Sequence, residues 1–326
     1  MYSSETSDHF GSSVDVSETH VIVGAPHEDS VESFGSGQGA AYIFDKSTGA
    51  LVHSLQKGQY NSQTNDNFGH SVAIDGNYAV IGAKNEDQNP ASQYDNGGAV
   101  YIYDVTTGTM IRNIQSSEWN TVSNFGQSVD ISGDYAIIGA PVDTNNQTTG
   151  GRAYIYHIPT NTRLTLNNPS PVAGDQFGVD VAISGDYAVV GARYVETPGT
   201  TNSGRVYVYK VSTGSLLYYI DNPNTYGSTA GDYFGTAVAI SDNKIIVSAP
   251  EEHDADGYLS GAAYIFDAQT GALESTIHNP NAYGTSGYDR FGMAVAMYKN
   301  RAIVGALYED DIDAADSGKA YIFDAS

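Results

Sequence analysis

The chain has 326 residues, with 38 acidic against 14 basic side chains and a formal net charge of −24. So few Lys and Arg exclude a nucleic-acid surface, whose phosphates demand them, and an anionic membrane surface as well. Cysteine is absent, which removes disulfides and thiolate metal sites, and no stretch has the apolar length of a membrane span.

Residues 1–20 lack the charged start and apolar run of a signal peptide. From Phe10 onward the chain repeats one pattern. A Phe-Gly pair stands at Phe10-Gly11, Phe68-Gly69, Phe125-Gly126, Phe177-Gly178, Phe234-Gly235 and Phe291-Gly292, with spacings of 58, 57, 52, 57 and 57 residues. A strand of small and β-branched residues follows each pair, as in Ser-Val-Ala-Ile at 71–74. A short polar turn comes next, as in Asp75-Gly76-Asn77, and then a second strand such as Tyr-Ala-Val-Ile at 78–81. That strand runs into a Gly-Ala pair about fourteen residues after the phenylalanine: Gly24-Ala25, Gly82-Ala83, Gly139-Ala140, Gly191-Ala192, Ser248-Ala249 and Gly305-Ala306.

A third strand reads Ala-Tyr-Ile-Phe or close to it, at 41–44, 100–103, 153–156, 206–209, 263–266 and 320–323. A Thr-Gly turn closes it, as in Asp45 to Gly49 and Asp267 to Gly271, where glycine suits a left-handed residue beside a bulge. A Leu/Ile-rich fourth strand ends the unit, as at 51–55 and 273–277. No window sustains a 3.6-residue apolar period. Small four-stranded sheets cannot bury both faces alone, but stacked radially they can. The expected fold is all-β, a six-bladed β-propeller of four-stranded antiparallel blades forming one domain over 1–326. The chain stops at Ser326, before a sixth fourth strand, so the last blade is expected to lack its outer strand. That unpaired edge suggests a piece of a longer chain.

These motifs resemble the FG-GAP repeat, the unit of the integrin alpha-chain propeller. The resemblance covers nearly the whole chain and implies a propeller used for recognition outside the cell. Calcium-binding members of that family carry an Asp-x-Asp-x-Asp-Gly loop between strands one and two. Here that turn has only two or three residues in every repeat, so the family's calcium site is missing from its usual place.

Antiparallel connectivity puts the tight turns on one face and loops of about 10 to 18 residues on the other. Long loops on a rigid scaffold are where binding usually sits. Acids follow the Gly-Ala pair in these loops: Glu28, Asp29, Glu86, Asp87, Asp143, Glu196, Glu251, Glu252, Glu309 and Asp310. Eight residues before the Phe-Gly phenylalanine stand Tyr2, Tyr60, Tyr226 and Tyr283, with Trp119 nearby in the third repeat. Two residues before it stand Asp8, Asp66, Asp175, Asp232 and Asp289.

Aromatic faces stack on sugar rings, and carboxylates accept sugar hydroxyls or hold calcium. Ligand-binding candidates are therefore Tyr60, Trp119, Tyr226, Tyr283, Glu28, Asp29, Glu86, Asp87, Glu251 and Glu309. Metal candidates are Asp254, Asp256, Asp310, Asp311 and Asp313, hard oxygen donors for calcium, although neither segment has complete EF-hand spacing. Each group also has a structural reading: the tyrosines could pack between blades, the aspartates could cap turns, and the loop acids could simply be solvated.

No His-Glu-x-x-His or Gly-x-Ser-x-Gly motif is present, and six near-equivalent repeats favour multivalent binding over a single catalytic centre. The chain is thus expected to be an extracellular or cell-surface adhesion module that takes a protein ligand on its long-loop face. A lectin-like propeller holding glycans on Tyr and Trp platforms is the alternative, and a polysaccharide lyase or hydrolase ranks third. No cofactor is required, and calcium at those acids is the one ion the residue types would suit. Neither nucleic acid nor membrane insertion is expected.

Overall fold

The computed structural model describes residues 8–29, 37–57, 65–87, 96–116, 122–144, 148–224, 229–253, 259–280, 289–310 and 316–326. Among the described residues there is no α-helix, and so none long and apolar enough to cross a membrane. The strands form six antiparallel sheets in simple sequence order, five of four strands and a last one of three. The fold is that of an all-β six-bladed propeller, and the three-stranded last blade matches the expectation from sequence.

The chain divides into two compact units, Met1–Pro169 and Ser170–Ser326. The first holds β1 (Ser13–Val16), β2 (His20–Ala25), β3 (Ala40–Asp45) and β4 (Leu51–Leu55) as one sheet. Its second sheet is β5 (Phe68–Asp75), β6 (Tyr78–Ala83), β7 (Ala99–Asp104) and β8 (Met110–Gln115). Its third is β9 (Val129–Ser132), β10 (Tyr135–Ala140), β11 (Arg152–His157) and β12 (Thr162–Asn167). The second unit repeats the plan with β13 (Val181–Ser184), β14 (Tyr187–Ala192), β15 (Arg205–Lys210) and β16 (Ser215–Asp221). Next come β17 (Val238–Ser241), β18 (Lys244–Ala249), β19 (Ala262–Asp267) and β20 (Leu273–His278), and last β21 (Phe291–Tyr298), β22 (Arg301–Ala306) and β23 (Lys319–Asp324).

Within each unit, the first strand of one sheet lies against the first two strands of the sheet before it: β5 on β1 and β2, β17 on β13 and β14, β21 on β17 and β18. The Phe-Gly pair makes this junction. Its phenylalanine is buried edge-on against the strand-three tyrosine, with ring centroids 5.3 Å apart for Phe68 and Tyr101 and 5.9 Å for Phe234 and Tyr264. Its N–H donates to the preceding repeat's loop: Phe68 to the Gln38 carbonyl at 3.0 Å, Phe234 to Ser203 at 3.1 Å and Phe291 to Ser260 at 3.1 Å. Its glycine turns with positive φ, +88° at Gly69, so that backbone meets backbone. A Cβ on Gly24 would lie 2.1 Å from the Gly69 oxygen, and one on Gly191 would lie 2.2 Å from that of Gly235. The Gly of the Gly-Ala pair is therefore the landing site for the next repeat's Phe-Gly.

The tight-turn edge follows the sequence expectation. Asp75 pairs with Tyr78 and leaves a two-residue turn whose Gly76 has φ +53°. At the other turn, Asp45 Oδ1 accepts the Ser47 and Thr48 N–H groups at 3.1 and 2.8 Å, and Gly49 has φ +70°. Register shifts fall between Ile43 and Phe44, Ile102 and Tyr103, and Ile265 and Phe266. In the second and last sheets strand one is longer than expected. It begins at Phe68 and Phe291, because each phenylalanine pairs with the alanine of the Gly-Ala pair across a bulge.

Candidate functional site

The long-loop edge rests on a polar cluster rebuilt in successive repeats. The acid four residues past the Gly of the Gly-Ala pair turns inward, and the strand-three tyrosine donates its hydroxyl to it. The pairs are Tyr42 with Glu28, Tyr101 with Glu86, Tyr154 with Asp143, Tyr264 with Glu252 and Tyr321 with Glu309. The fourth repeat breaks the pattern, with buried Val195 at that position. The same acid's carbonyl accepts the N–H of the glycine before strand three: Gly39 to Glu28 at 2.9 Å, Gly98 to Glu86 at 2.9 Å and Gly261 to Glu252 at 3.0 Å. The next acid along holds the returning loop, since Asp29 accepts the Gly37 N–H at 2.7 Å, Asp87 that of Asn96 at 3.0 Å and Asp310 that of Asp316 at 2.9 Å. The loop base is thus hydrogen-bonded on both sides.

The Asp before Phe-Gly completes the cluster. Asp66, Asp175, Asp232 and Asp289 are all buried. Asp66 pairs with buried Lys57. Asp232 Oδ2 accepts from Asn222 and Asn224, each at 2.8 Å, and Asp289 Oδ2 accepts from Asn279 at 2.8 Å. Lys57, Asn222 and Asn279 occupy one repeat position, two residues past the last buried aliphatic of strand four (Leu55, Ile220, Ile277). Asp66 therefore meets an ammonium group where Asp232 and Asp289 meet neutral amides.

This difference shapes the electrostatics. Burial pushes Glu86 up to about 7, with Lys57 opposing the shift. Burial pushes Glu252 further, to about 8, and the neighbouring Asp232 adds to the rise. Asp232 is itself raised by burial. Burial also raises Asp66, against the pull of Lys57. Tyr101 and Tyr264 are held above their ordinary value by burial and by the carboxylates they bond. One oxygen on each of Glu86, Glu252, Glu309 and Asp232 has no hydrogen-bond partner. Near neutral pH Glu86 and Glu252 carry protons as readily as charge, and the buried carboxyls act as internal braces.

Of the candidate binding residues, Glu86, Asp87 and Glu309 are therefore in loop bases, buried, and Glu28 and Asp29 are half-buried in the same role. Glu251 is half-buried and meets Arg290 at 3.4 Å. Tyr60, Trp119, Tyr226 and Tyr283 lie outside the described residues, as do Asp254, Asp256, Asp311 and Asp313. Among the described residues no three acidic or His side chains gather as a metal site. Lys57, Asn222, Asn279 and the strand-three tyrosines were not foreseen as members of the cluster. Superposing the repeats on their strand-four aliphatics gives the signal for the first three.

The FG-GAP repeat family profile matches residues 4–44, 60–103, 112–156, 166–209, 227–266 and 281–323. No curated protein matches the chain. The six matched segments cover well over half the sequence, and each runs from before strand one into strand three of one sheet, so the chain belongs to the FG-GAP repeat family.

Proposed function

We propose that the chain is a non-enzymatic binding module of the cell exterior that takes a protein ligand on its long-loop edge. The observation that supports this reading is the asymmetry between the two edges. One edge has only tight turns such as Asp75–Tyr78, while the other carries long loops whose bases are tied down by buried carboxylates. A braced base with a variable tip suits recognition, because the ligand need not order the whole loop on binding. The surplus of 38 acidic over 14 basic residues favours a basic or hydroxyl-rich partner.

The test is an array of secreted and cell-surface protein ectodomains, run beside a glycan array, each with calcium and with chelator. Substitution of Tyr60, Tyr226 and Tyr283 by Ala should weaken capture of a protein at least tenfold, whereas Lys46→Ala on the tight-turn edge should leave it unchanged. Binding to one glycan class alone would replace this reading with the lectin one. Loss of binding with chelator would assign calcium to the loop acids. Capture that responds equally to both sets of substitutions would reject the long-loop edge as the binding face.

A further inference from the structure

Among the buried carboxyls served by the strand-three tyrosines, three have a cationic side chain beside them. Lys57 lies next to Asp66 and acts on Glu86 in the second repeat. Arg152 Nη1 is 3.6 Å from Asp143 Oδ1 in the third, and Lys319 Nζ is 3.3 Å from Glu309 Oε1 in the last. Each cation comes from one of two positions: two residues past the strand-four aliphatic, or the first residue of strand three. At the fifth repeat those positions hold Asn222 and Ala262, and neither carries charge.

Asp232 and Glu252 are nevertheless 0% and 2% exposed. The Asn222 amide donates to Asp232 Oδ2 at 2.8 Å and also reaches Glu252. Asn224 donates to the same Asp232 oxygen at 2.8 Å, and Tyr264 donates to Glu252 Oε1. Asp232 Oδ1 and Glu252 Oε2 remain, both buried and both without a hydrogen-bond partner. Among the described residues this is the one repeat in which both acids of the pair keep such an oxygen, and no Lys or Arg forms an ion pair with either. The half-buried imidazole of His253 is the one basic group that acts on Asp232 among them. A buried carboxylate is costly without positive charge at hand, and a second one beside it adds to the cost.

We propose that Asp232 Oδ1 and Glu252 Oε2 bind a calcium ion, at the place in the repeat that the Lys57 ammonium serves for Asp66 and Glu86. Two carboxylates match the ion's charge, and their oxygens are the hard donors it prefers. An Asn side-chain oxygen and water complete a shell of about six to eight oxygens. The pair lies at the loop base beside half-buried Asn222, Asn224 and His253, so an ion enters from the long-loop edge without parting the sheet. The net charge of −24 draws cations toward it. The tight turn between strands one and two takes no part.

Calorimetric titration of calcium chloride into the chelator-stripped chain counts the ions. Asn222→Lys supplies the missing ammonium, and Glu252→Gln keeps an oxygen for Tyr264 while removing the charge. Each should bind one ion fewer than wild type. Each should also lose the rise in thermal midpoint that calcium at about 1 mM gives the wild-type chain, a concentration suited to weak protein calcium sites. Lys57→Asn gives the second repeat the fifth repeat's side chains and should bind one ion more than wild type. Calcium held with the same stoichiometry by wild type, Asn222→Lys and Glu252→Gln places the ion at other acids and overturns the proposal. A wild-type chain that takes up no calcium, and melts alike in calcium and in chelator, overturns it as well.

Discussion

Lys57→Met would test whether Asp66 and Glu86 depend on the ammonium group buried beside them. Lys57 and Asp66 are both buried and paired, and Lys57 also lowers the pKa of Glu86. Removing one member of a buried ion pair costs about 3–5 kcal/mol, because the other charge is stranded. Burial already holds Asp66 above the ordinary value and Glu86 at about 7. Carboxyls raised in this way favour the folded state most when protonated. Their contribution is complete below the unfolded carboxyl range, about pH 4, and is lost as pH climbs through the folded values. Without Lys57 those folded values rise further, so the penalty should be small near pH 5. It should grow toward pH 8 by up to about 1.4 kcal/mol per pH unit for each proton released. Chemical denaturation of wild type and variant at each pH, followed by tyrosine fluorescence, gives the difference directly. Lys57→Asn should lose less than Lys57→Met at every pH, since Asn222 and Asn279 serve the equivalent aspartates by hydrogen bonds. A penalty that is flat across this pH range would refute the coupling between Lys57 and the buried acids.

Asn222→Lys is the converse change: it brings an ammonium to Asp232 and Glu252, and stability above about pH 7 should increase while that near pH 5 stays close to wild type. A variant equally unstable at both ends would show that the side chain cannot enter the cluster. Tyr264→Phe strips the hydroxyl from buried Glu252 and should lower stability by about 1–3 kcal/mol, read as a shifted denaturation midpoint with unchanged slope. Gly39→Ala places a methyl group 2.0 Å from the Phe68 carbonyl oxygen at a φ of +88° and should abolish folding of the first unit, as seen in loss of soluble expression or a collapsed melting transition. Gly305→Ala, with nothing nearer than 3.7 Å, should melt within a few degrees of wild type. Equal damage from the two glycine changes would mean that the junction is not the backbone-on-backbone contact described.

Much of the fold is legible in the amino-acid sequence, for a local reason. The Phe-Gly and Gly-Ala pairs mark the two sides of one backbone contact, and a contact that excludes every side chain leaves a fixed mark in the sequence. The β-branched and small residues along 71–74 and 78–81 likewise report strands whose faces are both buried. The candidate site is less legible. Glu86 and Glu309 sit in polar loops and read as solvated acids, yet both are buried beneath tyrosine hydroxyls contributed by another strand. The partner of Asp66 comes from the preceding repeat, and no local spacing announces that an amine there meets a carboxylate.

What the sequence determined alone is the repeat, its strands and its turns, because those depend on residue types within a few positions of one another. What only the tertiary structure decided is which side chains meet water. Val14 and Val72 are the same residue at the same place in the repeat, and one is 64% exposed while the other is 7%. Val72 owes its burial to β1 and β2 of the sheet before it. Burial is a property of the surfaces that meet, so identical sequences can be core in one repeat and open surface in the next.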